Sequence, residues 1–335
     1  MPRIESSVPY QHPSRILSVG KLAAVGAALA FCLIVFGAYV RISDAGLGCP
    51  DWPGCYGQLT APATPEALER AAKEFPQSPV ETSKAWIEMA HRYLAGTLGL
   101  LVLAMAALAW RGQGNRAAAT LLLALVVLQA LLGMWTVTLA LKPAVVTLHL
   151  LGGMASLGLL VWLALSRYYR PHWLRTRRRH ALAPWATLAL FLLLAQIALG
   201  GWVSANYAGL ACAEFPLCES RMDFARGFQF WRELGLTPEK TPLSSEALAA
   251  IHWSHRVGAL VLVVYLSALG LACLRSGTLR ALGGIIIALA WAQAALGVAN
   301  VLLRLPVALA VAHNAAAALL LISVVVLNFH AYRRG

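Results

Sequence analysis

Five of the nine histidines, His91, His149, His252, His255 and His313, fall inside or at the ends of long apolar runs. A titratable side chain is expensive there and marks a working site by default. Two of the positions recur at one spacing: His91-Arg92 and His255-Arg256 are 164 residues apart, and so are His149 and His313. A single histidine in such a run is well explained by polar packing. The same two positions repeated in order are not. His12, His172, His180 and His330 lie in segments that read as solvated. Two neutral imidazoles facing one another across a helical bundle suit the axial positions of a haem iron. Zinc wants a third and fourth ligand that neither pair supplies, and a proton relay wants more acids at depth.

The residues beside the histidines sharpen this chemistry. Arg92 and Arg256 have the fork geometry to bind a porphyrin propionate, or else snorkel to lipid phosphate. Glu88 and His252 also stand 164 residues apart, each three residues before its His-Arg pair and so on the same helix face as the histidine. One copy therefore carries a carboxylate where the other carries a third imidazole. A carboxylate at a substrate cavity could take up protons or position water, although an outer helix end also accommodates a glutamate that faces water. The asymmetry points to a reactive site beside His91 and His149 and a cofactor site beside His255 and His313. The matching Gln129/Gly133 and Gln293/Gly297 pairs, with Gln196/Gly200, read as small packing residues and interhelical hydrogen bonds.

Six cysteines are of two kinds. Cys32 and Cys273 lie in apolar runs and read as small fillers. Cys49/Cys55 and Cys212/Cys218 form two C-x5-C pairs in polar segments that contain proline. They read as structural staples if the compartment is oxidising, with a reducible dithiol that accepts electrons or helps deliver haem as the functional alternative.

Such residues need helices of bilayer length to position them. The chain has 335 residues, 59% of them hydrophobic and only 12% charged, with a mean hydropathy of +0.68. That leaves too little polar material to cover a soluble surface. Apolar runs at about 19–40, 89–110, 117–140, 144–166, 181–203, 248–274, 280–303 and 306–328 predict eight transmembrane helices. The first run is too long for a signal peptide and is expected to be retained. Two long segments, 41–88 and 204–247, are then external loops, with short helices expected in 65–75 and 223–235. The termini and alternate loops carry fifteen Lys and Arg against the single acid Glu5. This places both termini in the cytoplasm and accounts for the net charge of +13 without nucleic acid. The Arg-rich 167–179 stretch is expected to meet anionic lipid headgroups.

The chain is also two copies of one unit. An offset of 163 lays Gly37 on Gly200, Gly46 on Gly209, Cys49 on Cys212, Pro53 on Pro216 and Cys55 on Cys218. The fold expected is an all-α polytopic membrane protein, two four-helix bundles related by a pseudo-twofold axis along the membrane normal. Residues 1–166 form the N-terminal bundle, 167–180 the cytoplasmic linker and 181–335 the C-terminal bundle.

Taken together, these residues resemble the haem A synthase family over essentially the whole chain. The resemblance is carried by Gly37-x-x-x-Arg41, Ala45-Gly-Leu-Gly-Cys49, Trp52-Pro-Gly-Cys55, Glu88-x-x-His91-Arg92, Gly200-Gly-Trp-Val203, His255-Arg256, His149 and His313. It implies an oxidoreductase of the bacterial inner membrane that turns the C8 methyl group of haem O into the formyl group of haem A, for use in terminal oxidases. It further implies that His255 and His313 ligate a resident haem b, with Arg256 beside it. His91 and His149 would hold the iron of substrate haem O, with Arg92 beside it and Glu88 assisting the chemistry. Disulfides Cys49–Cys55 and Cys212–Cys218 are implied as well. Haem O synthase is the implied supplier of substrate. The role of His252, and self-association into a homo-oligomer, are left open by the sequence. A di-haem b electron carrier would use the same four histidines but leaves the Glu88/His252 asymmetry without a purpose. A transporter would break its helices near the midplane, whereas here the Gly and Pro interruptions cluster at helix ends.

Overall fold

In a computed structural model the described residues are 18–166, 181–218 and 220–332; the linker 167–180 and His12, His172 and His180 lie outside them. The described residues are predominantly helical, with no strands among them. They comprise α1 (Val19–Ile42), α2 (Pro65–Glu74), α3 (Thr82–Leu108), α4 (Arg116–Thr138), α5 (Pro143–Ser166), α6 (Ala183–Ala205), α7 (Phe224–Gly227), α8 (Ser245–Leu274), α9 (Arg280–Leu302) and α10 (Val307–Tyr332). Eight of these, all but α2 and α7, are long and apolar enough to cross a membrane.

Two boundaries differ from the sequence reading. α3 and α8 begin at Thr82 and Ser245, upstream of the apolar runs. Their first turns (Ser83 and Lys84; Ser245 and Glu246) are polar and invisible to hydropathy, yet they are helical. Ser244 caps α8 by accepting from the Ala247 N–H, and Lys84 pairs with Glu81 at 3.0 Å. Glu88 and His252 consequently sit well inside their helices. The helix expected at 65–75 forms, but that at 223–235 stops at Gly227. There the indole of Trp202 donates to the Gly227 carbonyl at 3.0 Å, and the chain turns into an aromatic stretch, Phe228 to Trp231.

In the N-terminal half α1 packs on α3 and α5, and α4 packs on the same two helices, closing a four-helix ring. In the C-terminal half α6 packs on α8 and α10, and α9 closes that ring. Between rings, α1 meets α10, α5 meets α6, and α5 meets α10. Exchanging α1, α3, α4 and α5 for α6, α8, α9 and α10 leaves this set of neighbours unchanged. The seam holds the main core, including Ala23, Leu157, Leu160, Ala186, Leu320 and Val324, all essentially without exposure. Leu100, Leu121, Phe191 and Leu260 are exposed on the perimeter, as bilayer-facing side chains are. Cys273 is a buried filler, as expected, but Cys32 is exposed; on α1 it faces outward and fills nothing.

The turns repeat as well. Ala140 and Leu141 between α4 and α5 have φ of 48° and 55°, and Arg304 and Leu305 between α9 and α10 have 58° and 57°. Left-handed backbone is uphill for residues with a side chain. Both turns are closed by a matching bond, Leu141 N to Thr136 O at 2.8 Å and Leu305 N to Asn300 O at 2.7 Å. These hairpins feed α5 and α10, the helices that carry His149 and His313.

Close helix contact depends on glycine where α8 crosses α9. A Cβ at Gly283 would lie 2.6 Å from the Gly270 carbonyl oxygen and 2.8 Å from the Cys273 Cβ. Backbone on one side cannot yield, so Gly283→Leu should destabilise the detergent-solubilised protein by about 3 kcal/mol, read as a lowered thermal midpoint.

Candidate functional site

The four histidines occupy equivalent places in the two rings, and each ring nitrogen heterocycle abuts a glycine of the next helix. A Cβ at Gly37 of α1 would sit 3.0 Å from Cε1 of His91, and one at Gly133 of α4 would sit 3.4 Å from that of His149. A Cβ at Gly200 of α6 would sit 3.0 Å from His255, and one at Gly297 of α9 would sit 3.2 Å from His313. The absent side chains are what make room for the imidazoles. Phe36 lies beside His91 at 6.1 Å between ring centroids.

In the C-terminal half the pair is closely opposed. The His255 and His313 ring centroids are 6.5 Å apart, with planes at 76°. Two imidazoles on opposite sides of one metal, with bonds of ~2.0–2.1 Å, have centroids roughly 6.5 Å apart. Glutamines hold both rings. The amide of Gln196 bonds Nδ1 of His255 at 2.9 Å and the His255 carbonyl at 2.9 Å, and Gln293 contacts Nε2 of His313 at 3.2 Å. These contacts set the orientation of each ring. Nδ1 of His91, His149 and His313 is buried without a partner, as are Nε2 of Gln129 and Oε1 of Gln196 and Gln293. The position matching Gln196 is Leu33. Buried polar atoms of this kind are unusual in a finished site. Among the described residues no three His, Cys, Asp or Glu side chains cluster to bind a metal by themselves.

Glu88 and Arg92 form a clamp on the first disulfide loop. Cys49 and Cys55 are bonded, as are Cys212 and Cys218. Glu88, 5% exposed, accepts the Cys49 N–H at 2.8 Å and pairs with Arg92. Arg92 also donates to the carbonyls of Asp51 at 3.0 Å, Pro53 at 3.3 Å, and Gly54. The other half repeats the pattern with a different acceptor. His252, 4% exposed, stands with Nδ1 3.3 Å from the Cys212 N–H and Nε2 3.3 Å from the Arg256 Nε–H, and its neutral ring accepts from one of the two at a time. Arg256 donates in turn to the carbonyls of Cys212 and of Glu214, the latter at 2.7 Å. Glu88 and His252 thus do the same structural work, with a carboxylate in one half and an imidazole in the other. His252, whose part was open from sequence, has one here.

Sequence reasoning missed two features. Gln196 and Gln293 read as interhelical hydrogen bonds and form them, but sequence reasoning did not show that they, with the four glycines, position the histidines. Their signal was the repeated Gln-x-x-x-Gly on α4, α6 and α9. Arg41 entered the sequence reading only as the end of the Gly37-x-x-x-Arg41 motif. It ties the halves together at the disulfide-loop end, donating to the Ser204 carbonyl at 2.7 Å with its guanidinium 4.0 Å over the Tyr207 ring. The Tyr207 hydroxyl donates to Asp44 at 2.9 Å.

A family model described as cytochrome oxidase assembly protein (COX15-CtaA) matches residues 20–325. A heme A synthase of Shewanella oneidensis is 42% identical over 317 residues, covering 90% of this chain and 93% of the relative. That of Caulobacter vibrioides is 30% identical over 329 residues, with 88% and 90% covered. The Bacillus licheniformis heme A synthase is 27% identical over 271 residues, with 73% and 82% covered.

Proposed function

The chain belongs to the COX15-CtaA family of cytochrome oxidase assembly proteins, and on that premise we propose that it is a haem A synthase, an enzyme that oxidises the C8 methyl group of haem O to a formyl group. The observation that carries this reading is the paired, glycine-cradled histidines of each ring, with His255 and His313 at a separation that suits one iron between them. A bound iron porphyrin would supply the redox capacity for taking the methyl group to the aldehyde level, a four-electron oxidation.

The protein's own residues divide the work. His255 and His313 hold a resident haem b, with Gln196 and Gln293 fixing the ring orientations and Gly200 and Gly297 leaving the imidazoles room. Arg256, whose guanidinium holds the second loop, would stand beside the resident haem. His91 and His149 hold haem O as substrate, with Arg92 in the corresponding place. Leu33 stands where Gln196 stands in the other half, so His91 lacks the glutamine contact that His255 has, which suits a site that must release what it binds. Glu88, one turn from His91, is the carboxylate beside the substrate, where it holds or moves a proton and positions water. Its replacement by His252 in the other half favours this division over a di-haem electron carrier, as does the shared name of the relatives.

The wider reading places the protein in the bacterial inner membrane with both termini cytoplasmic, and with its two bundles, residues 1–166 and 181–335, related by a pseudo-twofold axis. The unchanged neighbour set on exchange of halves supports that axis. Haem O synthase would supply the substrate, lipids would meet the perimeter, and the chain is compatible with a homo-oligomer. The test is to express it in a host that makes haem O but no haem A and to separate the extracted haems by chromatography. Haem A appearing only with the intact protein is expected, and unchanged haem O would refute the enzyme.

The glycine cradles make their own prediction. Gly200→Ala or Gly297→Ala should push a ligand ring aside and weaken haem b retention about tenfold, seen as a shifted Soret band and a lower haem-to-protein ratio. Gly37→Ala should spare that ratio and lower haem A formation instead.

A further inference from the structure

A cavity of about 190 Å³ at the disulfide-loop end is used by nothing described so far; Lys142, Trp231, Arg232, Glu233, Thr237 and Lys240 line it. Three cations thus face one acid. Arg232 is 3% exposed. Its Nη2 donates to Asn206 and its Nη1 to the Leu236 carbonyl at 3.3 Å, and its plane lies over the Trp202 ring at 5.6 Å. Its Nε–H is buried without an acceptor. Burial lowers its pKa with no carboxylate acting against the shift. Lys142 stands over the Trp231 ring at 5.1 Å. Among the described residues no carboxylate lies within ion-pair distance of Lys142, Arg232 or Lys240. A buried cation left unneutralised is costly, so the arrangement is one that an anion completes.

Its position says which anion. Lys142 immediately precedes Pro143, the first residue of α5, where unpaired helix N–H groups add to the positive field. His149 is two turns further along the same helix, about 10 Å by the helical rise. The position matching Lys142 in the other half is Pro306, so the cationic cavity, lined by Lys142 of one half and residues 231–240 of the other, has no matching lysine at the second hairpin. The neighbouring cavity of similar size is lined by Arg41, but there Asp44 already stands 3.5 Å from the guanidinium.

We propose that the cavity lined by Lys142, Arg232 and Lys240 is a carboxylate subsite that takes a propionate of the porphyrin held by His91 and His149. The inference rests on the reading of the N-terminal ring as the haem O site and adds the group that would orient the substrate within it. A phospholipid phosphate shares the oxyanion chemistry, and the test separates the two.

Purified full-length protein retaining its haem b would be titrated with haem O and with haem O dimethyl ester. The discs would contain phosphatidylcholine alone or with added phosphatidylglycerol. Lys142→Gln and Lys240→Gln, both at the cavity rim, should each weaken haem O binding about tenfold in phosphatidylcholine and leave the ester's affinity unchanged. Equal weakening of acid and ester overturns the subsite. So does an effect confined to phosphatidylglycerol, which would assign the cavity to lipid phosphate. If the wild-type protein binds no haem O at all, the reading of the N-terminal site fails and the subsite with it. Binding that ignores both lysines removes the subsite alone.

Discussion

Alanine in place of His255 or His313 is expected to leave the purified protein without its haem b. The two rings oppose each other at 6.5 Å between centroids, and each contacts a glutamine that orients it. Loss of such an orienting partner alone typically weakens metal affinity ~10–100-fold, so loss of a ligand should exceed that, and the Soret absorbance per protein should fall to background. The helices themselves should survive. The rings pack against glycines in a half-buried setting, and the seam that joins the halves is built elsewhere, from Leu157, Leu160, Leu320 and their neighbours. Circular dichroism close to wild type alongside the lost haem is the expected combination. Unaltered haem content in both variants would remove these residues as ligands.

The second large effect concerns Glu88. Glu88→Ala leaves the Cys49 N–H without its acceptor and strips Arg92 of its countercharge. Breaking a buried pair in this way is worth about 3–5 kcal/mol, which lowers the thermal midpoint by roughly 10 °C. If the carboxylate also moves protons at the substrate, haem A formation should fall a further ~10²–10⁴-fold. One substitution separates the two duties. Glu88→His installs the acceptor that His252 provides in the other half, so the clamp should re-form and the midpoint recover. Conversion should stay low in that variant, measured as haem A per haem O supplied. Full conversion by Glu88→His would reduce Glu88 to a loop clamp with no part in the chemistry.

The eight spans were legible because each requires about 20 apolar residues, and hydropathy reports that directly. Hydropathy failed where helices continue out of the apolar run, at Thr82–Glu88 and Ser245–Ala247. Those first turns are polar but capped and packed, so the helices persist, and this is what buries Glu88 and His252. The histidine pairs were legible from repetition alone. What the repeat did not reveal was the partner of each residue. A glycine facing an imidazole and a glycine packing two backbones look alike in sequence, so Gly283 and Gly200 could not be told apart. Arg92 and Arg256 read as groups free for a propionate. The fold also brings the carbonyls of the disulfide loops, some forty residues away, onto both guanidinium groups. Such contacts between a helix and a distant loop leave no periodic trace.

The division of labour between the halves is the central claim, and haem analysis of four single variants tests it most directly. His91→Ala, His149→Ala, His255→Ala and His313→Ala would each be produced in a host that supplies haem O, and the bound haems extracted and separated by chromatography. The account predicts that the first two retain haem b and yield no haem A, while the last two lose haem b. Loss of haem b from the His91 and His149 variants, with its retention when His255 or His313 is replaced, would contradict it.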